Sequence, residues 1–290
     1  MNELSTDPRA LSGTEPETFG DHMRLWRRIR GLSQLQLSVR SDVSSRHVSF
    51  LESGRSRPSR PMVDTLADAL DIPLRARNPI LMAAGFAPVY RETSLDEPDA
   101  RHIRHLLDMV LKGAEPFPAL VVDRHWNVLM TNAGGALMLS AAGGEKGAGE
   151  KGAGETEVGK AGGLNMVDVI LAPGPMRDLI VNWDEVVNDL LKRVRREADH
   201  AGDETVLNRM LALLPEGWKP PRRDTTDVPL VIPLHLRLPG AAGTLVDLRF
   251  ASIIGSLGTP ADIGLAELAV ETFLPADEAT EAFLKAAMAG

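Results

Sequence analysis

Helix-starting and helix-ending residues recur at short intervals between residues 19 and 85, and they constrain the fold of this stretch more than any other feature. Ser33 and Gln36 form an S-x-x-Q capping box. Ser44 and Ser59 stand at two further helix starts, and Gly54 is typical of a left-handed helix end. Apolar residues at helical spacing lie between these signals. The pattern predicts five short helices joined by tight turns, which form a compact all-α domain.

Charge divides the chain of 290 residues into a basic part and an acidic part. Residues 18–91 carry 12 Arg, no Lys and 6 acidic residues, whereas residues 92–290 carry 19 basic and 30 acidic residues. A basic module attached to an acidic body predicts a polyanion as the partner of the first part only.

Several classes of protein are disfavoured by the sequence. There is no cysteine, which excludes disulfides and thiolate zinc sites, and neither a membrane-spanning apolar run nor a secretory signal is seen. We therefore expect a cytoplasmic protein that does not interact with membranes. No nucleophile elbow, zinc-protease or phosphate-loop motif occurs, so we expect neither an enzyme nor a cofactor. His102 and His105 lack further ligands nearby, so no metal site is expected.

The pattern of residues 34–53 is that of a helix, a tight turn and a second helix with a polar start. On the second helix, predicted at 45–53, Val48 and Leu51 point inward and Arg46 points outward, where it can reach guanine O6 and N7. We predict that Glu52 is a structural hydrogen-bonding residue, because a carboxylate is unfavourable next to phosphate. Ser33 and Ser59 are interpreted as helix caps. The predicted DNA-contacting residues are Gln34, Ser44, Ser45, Arg46, His47, Ser49, Phe50, Arg55 and Arg57.

The remainder of the chain predicts a second, α+β domain. Two β runs, PALVVD and WNVLMTN, are followed by helices over 164–213 and then by three strands in VPLVIPLHLRL, TLVDLRFASI and LAELAVETFL. This order predicts a PAS-like antiparallel sheet with one face covered by helices and a cavity between them. The predicted segments are a disordered tail (1–17), the DNA-binding domain (18–91), a linker helix (92–115) and the PAS-like domain (116–290) with a flexible insertion (141–163).

Apolar alternation assigns residues to faces within this second domain. In the last strand, Leu268 and Val270 are expected on the buried side and Glu267 and Glu271 on the solvent side. The linker helix, at 99–112, is expected to bury one apolar face. That face consists of Ile103, Leu106, Leu107, Val110 and Leu111.

A cavity in this domain would be lined by aliphatic side chains, because aromatic residues make up only 4% of the chain. That lining favours a flexible aliphatic ligand. Arg249, Arg237 and His235 are candidates to bind its polar head group, with exposure on the sheet as the alternative for each. Trp126, Asn182 and Trp183 are candidates to line or gate the cavity, with core packing as the alternative for the Trp residues.

The segment GLSQLQLSVRSDVSSRHVSFLESGRSRPS resembles the DNA-binding domain of the XRE family, which is related to the lambda repressor and Cro. The likeness covers residues 19 to about 72. The matching positions are Gly31, Leu32, Ser33, Gln34, Leu37, Val43, Ser44, Val48, Ser49, Glu52, Gly54, Pro58 and Ser59. Phe50 departs from the pattern, since a polar residue is usual there. A second departure lies further along the chain, in the repeated EKGAG sequence at 145–155, within the predicted insertion.

The wider chain resembles the MmyB-like branch of that family, through LMAAGFAPVYRETSLDEPD, PALVVDRHWNVLMTNAG and LIVNWDEV. The resemblance implies a regulator with a lambda-repressor-like helix-turn-helix and a PAS-like ligand-binding domain, for which fatty-acid binding has been implied. We accordingly expect a repressor that binds a pseudo-palindromic double-stranded DNA operator as a homodimer and senses a small hydrophobic ligand. The alternative is a DNA-binding adaptor whose second domain binds a protein partner.

Overall fold

A computed structural model describes residues 18–141, 163–221, 231–239 and 244–288. The predicted disordered tail and nearly all of the predicted insertion lie outside these residues. The chain divides into two compact units. The first consists of residues up to Glu92 together with Asp199–Asp203 and Ala261–Ile263, and the second of Thr93–Ala198, Glu204–Pro260 and Gly264–Gly290. No helix among the described residues is long and apolar enough to cross a membrane.

Five helices build the first unit, as the capping signals predict. They are α1 (Phe19–Ile29), α2 (Gln34–Ser41), α3 (Ser45–Glu52), α4 (Arg60–Ala69) and α5 (Leu74–Ala83). Ser33, Ser44 and Ser59 each accept a hydrogen bond from a backbone N–H in the first turn of the following helix. Gly54 has a φ of +73°, which confirms the left-handed end after α3.

The core of the first unit lies between these helices and contains Trp26, Leu37, Leu51, Leu66 and Leu81, all fully buried. The start of α1 packs very closely on the end of α3. A Cβ atom at Gly20 would lie 2.4 Å from the carbonyl oxygen of Glu52, so this contact requires glycine.

The second unit combines helices with a sheet. Its helices are α6 (Arg101–Gly113), α7 (Ala133–Ala141), α8 (Met166–Leu171), α9 (Pro175–Leu179), α10 (Trp183–Ala201), α11 (Thr205–Leu213), α12 (Ile263–Ala266) and α13 (Glu278–Met288). A short 3-10 turn, Pro98–Ala100, precedes α6.

In the part of the chain that the structure describes, five antiparallel strands form one sheet in the order β2-β1-β5-β4-β3. They are β1 (Ala119–Val122), β2 (Val128–Thr131), β3 (Leu234–Pro239), β4 (Leu245–Ser256) and β5 (Ala269–Pro275). The first half of β4 pairs with β3, from Leu245 to Phe250, and the second half pairs with β5, from Phe250 to Ser256. The multidomain prediction, with an all-α unit followed by an α+β unit, is confirmed.

Helices cover both faces of this sheet, which corrects the prediction of a single covered face. One apolar cluster joins Leu120, Leu248, Phe250 and Phe273 to α8, α10 and α11. A second cluster lies on the opposite face, where Ala119, Val121 and Val270 pack with Leu107 and Leu111 of α6. We call the first face the inner face and the second face the outer face.

Two predictions about side-chain placement were wrong in part. Only Leu107 and Leu111 of α6 are buried, and Leu106 and Val110 are 49% and 52% exposed, because α6 presents a narrow side to the outer face. The strand predicted in VPLVIPLHLRL begins only at Leu234. Pro233, which has no N–H to donate, precedes it. Leu230, which belongs to the first half of that run, lies outside the described residues.

Candidate nucleic-acid interface and ligand-binding core

Helix α3 separates a buried side from an exposed side. Val48 and Leu51 are buried in the core of the first unit, as predicted. Arg46 is exposed on the other side of the helix. This is the arrangement of a helix that packs by a thin apolar stripe and offers its start to a partner.

Glu52, the last residue of α3, points into the core and is held there by two side chains. The Arg27 guanidinium donates to both carboxylate oxygens, with Nε–Oε1 and Nη2–Oε2 distances of 2.6 and 2.8 Å. The Gln34 amide donates to Oε2 at 2.8 Å. The hydrogen bond to Glu52 raises the pKa of Arg27. The prediction that Glu52 is structural is confirmed, and Gln34, a predicted phosphate contact, has an intramolecular partner.

The predicted DNA-contacting arginines lie at the two ends of α3. The Arg46 guanidinium carbon lies 5.2 Å from the centre of the Phe50 ring, one helical turn along. That distance is within the range of a cation–π contact, which limits the rotamers of Arg46. Arg55 and Arg57 are exposed in the loop after α3. Within the described residues, none of these three arginines forms an ion pair, so their charges are available to a polyanion.

The remaining predicted contacts surround the start of α3. The Ser44 hydroxyl oxygen accepts a hydrogen bond from the His47 N–H at 3.3 Å, so it caps the helix. Ser45, His47 and Ser49 are half-buried along the same helix. The predicted contacts between Ser44 and Phe50 thus all lie on α3 or at its N-terminal cap. Arg55 and Arg57 follow in the loop after the helix.

Among the described residues of the second unit, the inner face of the sheet is largely apolar and carries one buried carboxylate. Glu271 on β5 is 8% exposed and lies beside Leu120 in the strand register. Arg193, on α10, lies beside this carboxylate, with its Nη1 atom 3.8 Å from Glu271 Oε1. The Nε of Arg193 donates to Glu197 at 2.8 Å. Burial raises the pKa of Glu271, and the charge of Arg193 partly opposes this.

Arg193 also stacks on Trp126, with its guanidinium carbon 4.6 Å from the ring centre. Trp126 is buried in the inner cluster and has a φ of +69°, which is rare for a bulky residue. Arg193 therefore links the buried Glu271 carboxylate to the Trp126 ring of the apolar core.

The predicted head-group residues lie elsewhere. His235, Arg237 and Arg249 alternate with inner residues of β3 and β4 and so belong to the outer face. Arg237 donates to Asp247 at 2.7 Å, and His235 Nε2 is 3.2 Å from Asp247 without the alignment of a hydrogen bond. The Arg249 guanidinium lies 3.6 Å from Asp277. Each of these basic side chains has an acidic neighbour and does not reach the inner cluster.

Asn182 and Trp183 connect elements of the fold. The Asn182 amide donates to the Pro233 carbonyl at 2.8 Å and accepts from the His235 N–H at 3.1 Å, which ties the start of α10 to the edge of β3. The Trp183 indole donates to the Ile170 carbonyl at 2.8 Å, and Arg177 stacks on its ring at 4.1 Å.

Sequence reasoning missed both Glu271 and Arg193. Alternation placed Glu271 opposite Val270 and therefore in solvent. Because both faces of β5 are covered, Val270 packs on the outer face while Glu271 is buried on the inner face. The charge of Glu271 within the run LAELAVETFL was the only available signal, and it favoured the wrong side.

Two family models match the chain. One, described as "MmyB-like transcription regulator ligand binding domain", matches residues 103–287, and one described as "Helix-turn-helix domain" matches residues 18–79. No curated protein matches the chain.

One solved structure, described as "Structure of an RNA-binding Light-Oxygen-Voltage Receptor", is similar at 13% sequence identity with a TM-score of 0.26. The match covers 97% of this chain and 65% of that receptor's chain. A likeness this weak carries no functional argument.

Proposed function

This chain belongs to the family of MmyB-like transcription regulators, and from that premise we propose that it is a repressor that binds a pseudo-palindromic operator as a homodimer and responds to a fatty acid. Membership of the family makes it a DNA-binding transcription regulator with a ligand-sensing domain. The observation that carries the proposal is the exposed Arg46 on α3, which has no ion-pair partner among the described residues.

In this proposal α3 lies in the major groove and Arg46 reads a guanine through O6 and N7. A bidentate contact of this kind discriminates against the wrong base by about 1–3 kcal/mol. Arg55 and Arg57 contact phosphates next to the groove, and Ser45, His47 and Ser49 contact bases or phosphates beside Arg46. Glu52 does not repel the DNA, because its carboxylate is buried against Arg27.

Homodimer formation follows from the size of the recognition unit. One helix-turn-helix reads a short half-site, so useful affinity requires two copies, with half-sites about 10 bp apart or a multiple of that distance. Repression is proposed because small regulators with one helix-turn-helix commonly act by occupying an operator. We further propose that the protein acts on DNA in the cytoplasm and catalyses no reaction.

For the ligand we propose a fatty acid that lies between the inner face and α10. Each buried methylene contributes roughly 0.8 kcal/mol, so a long chain reaches micromolar affinity after ordering costs. Arg249, one of the candidates that the sequence offers for the carboxylate, lies on the outer face. Arg193 is better placed, because it borders the inner cluster beside Trp126. Burial raises the pKa of the neighbouring Glu271, which reduces its tendency to carry a charge that would repel a bound carboxylate.

One observation favours a second candidate, an adaptor whose second domain binds a protein. Leu106, Met109 and Val110 form an exposed apolar stripe on α6. A stripe at this spacing is typical of a surface that packs against another helix.

Two measurements test the proposal. Native mass spectrometry of the purified protein should reveal a co-purified lipid, and delipidated protein should bind saturated fatty acids with an affinity that rises with chain length. Operator binding is then measured with and without the tightest acid. Chain-length-independent or absent binding would remove the fatty acid and favour the adaptor. Binding without any change in operator affinity would leave a ligand site that does not act as a switch.

A further inference from the structure

Strand β4 is paired on both sides only at its centre. Its 12 residues run from Leu245 to Ser256, β3 pairs with its first half and β5 with its second half. On the side away from β5, no residue in the described part of the chain pairs with 251–256. Within the described ranges, this half of β4 is therefore an open sheet edge.

The direction of the backbone groups at this edge follows from one hydrogen bond. The N–H of Phe273 on β5 donates to the Pro118 carbonyl at 2.8 Å, and therefore points toward the β1 side and away from β4. Phe273 is registered with Ser252. In an antiparallel ladder this makes the two residues a non-hydrogen-bonded pair, so the N–H and C=O of Ser252 point to the open edge. Alternation gives the same direction for Ile254 and Ser256.

The open edge lacks the features that usually prevent strand pairing. The sequence Ala251–Ser256, ASIIGS, contains no charge and no proline. Ile253 and Ile254 are 60% and 42% exposed, on opposite faces of the sheet. Exposed edges in stable monomers are generally protected by lysine, proline or a bulge, and this one is not. Its uncharged, apolar surface is suited to another strand.

We propose that a second copy of this chain pairs with this edge, β4 against β4, in antiparallel orientation about a two-fold axis at Ile254. Ile254 then faces Ile254 of the other copy, and Ser252 faces Ser256. The outward N–H and C=O groups exchange about six hydrogen bonds, and the two sheets become one. Because each copy uses the same edge, the assembly is complete with two copies and has two-fold symmetry. A pseudo-palindromic operator requires the same symmetry.

The inference rests on the proposed homodimer and names its interface. Six residues on each side form a contact smaller than the roughly 1,600 Å² of a standard interface. We therefore expect a reversible dimer that dissociates at about micromolar concentration in the absence of DNA.

Proline at Ile254 tests the interface directly. The Ile254 N–H points outward, so Ile254→Pro removes a donor of the dimer without removing a bond of the β4–β5 ladder. Ile254→Ala keeps the N–H and serves as the matched control. Sedimentation velocity of the full chain without DNA should show a dimer that Ile254→Pro weakens by about 10–100-fold, since two symmetric hydrogen bonds are lost. Ile254→Ala should change it by less.

Hydrogen exchange of the wild-type protein gives a second measurement that needs no variant. The amides of Ser252, Ile254 and Ser256 should become protected as concentration rises through the dimerisation range. The proposal would be overturned if the wild-type protein were monomeric at all concentrations, or if Ile254→Pro left the dimer unaffected. It would also be overturned if these amides were already protected in the monomer. Operator binding is measured separately, so a dimer through another surface overturns this interface while leaving the proposed function standing.

Discussion

The Arg27 guanidinium in α1 donates two hydrogen bonds to the Glu52 carboxylate at the end of α3, at 2.6 and 2.8 Å. Both groups are largely buried, with 14% and 3% of their side chains exposed. Glu52 is the only acidic residue between Asp42 and Asp64. Because Arg27 holds it inward, the outer side of α3 and the loop after it present only basic and neutral side chains.

Removing Glu52 should strongly destabilise the first unit. Glu52→Ala leaves the Arg27 charge buried without its partner, a change that costs about 3–5 kcal/mol. Gln34→Ala, which removes one hydrogen bond to the same carboxylate, should cost about 1 kcal/mol. Urea unfolding measures both variants. Similar losses for the two would show that the Arg27–Glu52 pair is not the main support of α3.

Gly20→Ala should also destabilise this unit, because its Cβ would lie 2.4 Å from the Glu52 carbonyl oxygen. We expect a loss of about 1–3 kcal/mol, as for overpacking in a core. Gly113→Ala, at the end of α6, is the matched control, since nothing lies within 4 Å of its Cβ. Thermal unfolding should show a lower Tm for Gly20→Ala only. An unchanged Tm would mean that α1 and α3 can separate slightly without cost.

Glu271→Gln should stabilise the second unit at neutral pH. Burial raises the pKa of Glu271 above its ordinary 4.5, so the folded state holds this proton more tightly than the unfolded chain does. The folded state therefore loses stability as the pH rises from the ordinary pKa of Glu271 through its raised pKa. Above that interval the variant should be more stable by about 1–3 kcal/mol, the cost of burying an incompletely paired charged group.

The measurement is the free energy of unfolding of wild type and Glu271→Gln between pH 4 and pH 8. Glu281→Gln on α13 is the control, because the Glu281 side chain is 42% exposed and pairs with Lys285 within its own helix. The difference in the free energy of unfolding between wild type and Glu271→Gln should grow with pH. The corresponding difference between wild type and Glu281→Gln should stay small at every pH. A Glu271→Gln variant that is less stable at pH 8 would show that the Arg193 contact outweighs burial.

The sequence predicted the first unit closely because its signals are local. The Ser33 and Ser44 caps and the Gly54 stop each act within one helical turn, so they fix helix ends whatever the surroundings are. The partners of Glu52 are 18 and 25 residues away, and only its unfavourable position near phosphate indicated that it turns inward.

The second unit was predicted less well because its sheet is covered on both faces. Apolar alternation tells the two sides of a strand apart only when one of them meets water. Along β5 both sides are covered by helices and every residue is buried or half-buried, so the assumption of one solvated side places Glu271 wrongly in solvent. On β4, the alternation in TLVDLRFASI matches the structure, in which Leu248 lies on the inner face and Arg249 on the outer face, but alternation does not show which helices cover either face.

The central claim, that α3 reads DNA through Arg46, is tested by selecting binding sites from random double-stranded DNA with the wild-type protein and then measuring affinities of variants for the selected site. Arg46→Ala should cost about 1–3 kcal/mol and relax the preference at one base pair of each half-site. Arg57→Ala should weaken binding to all sequences alike and flatten its salt dependence. An Arg46→Ala variant that keeps both the affinity and the base preferences of the wild type would contradict the account.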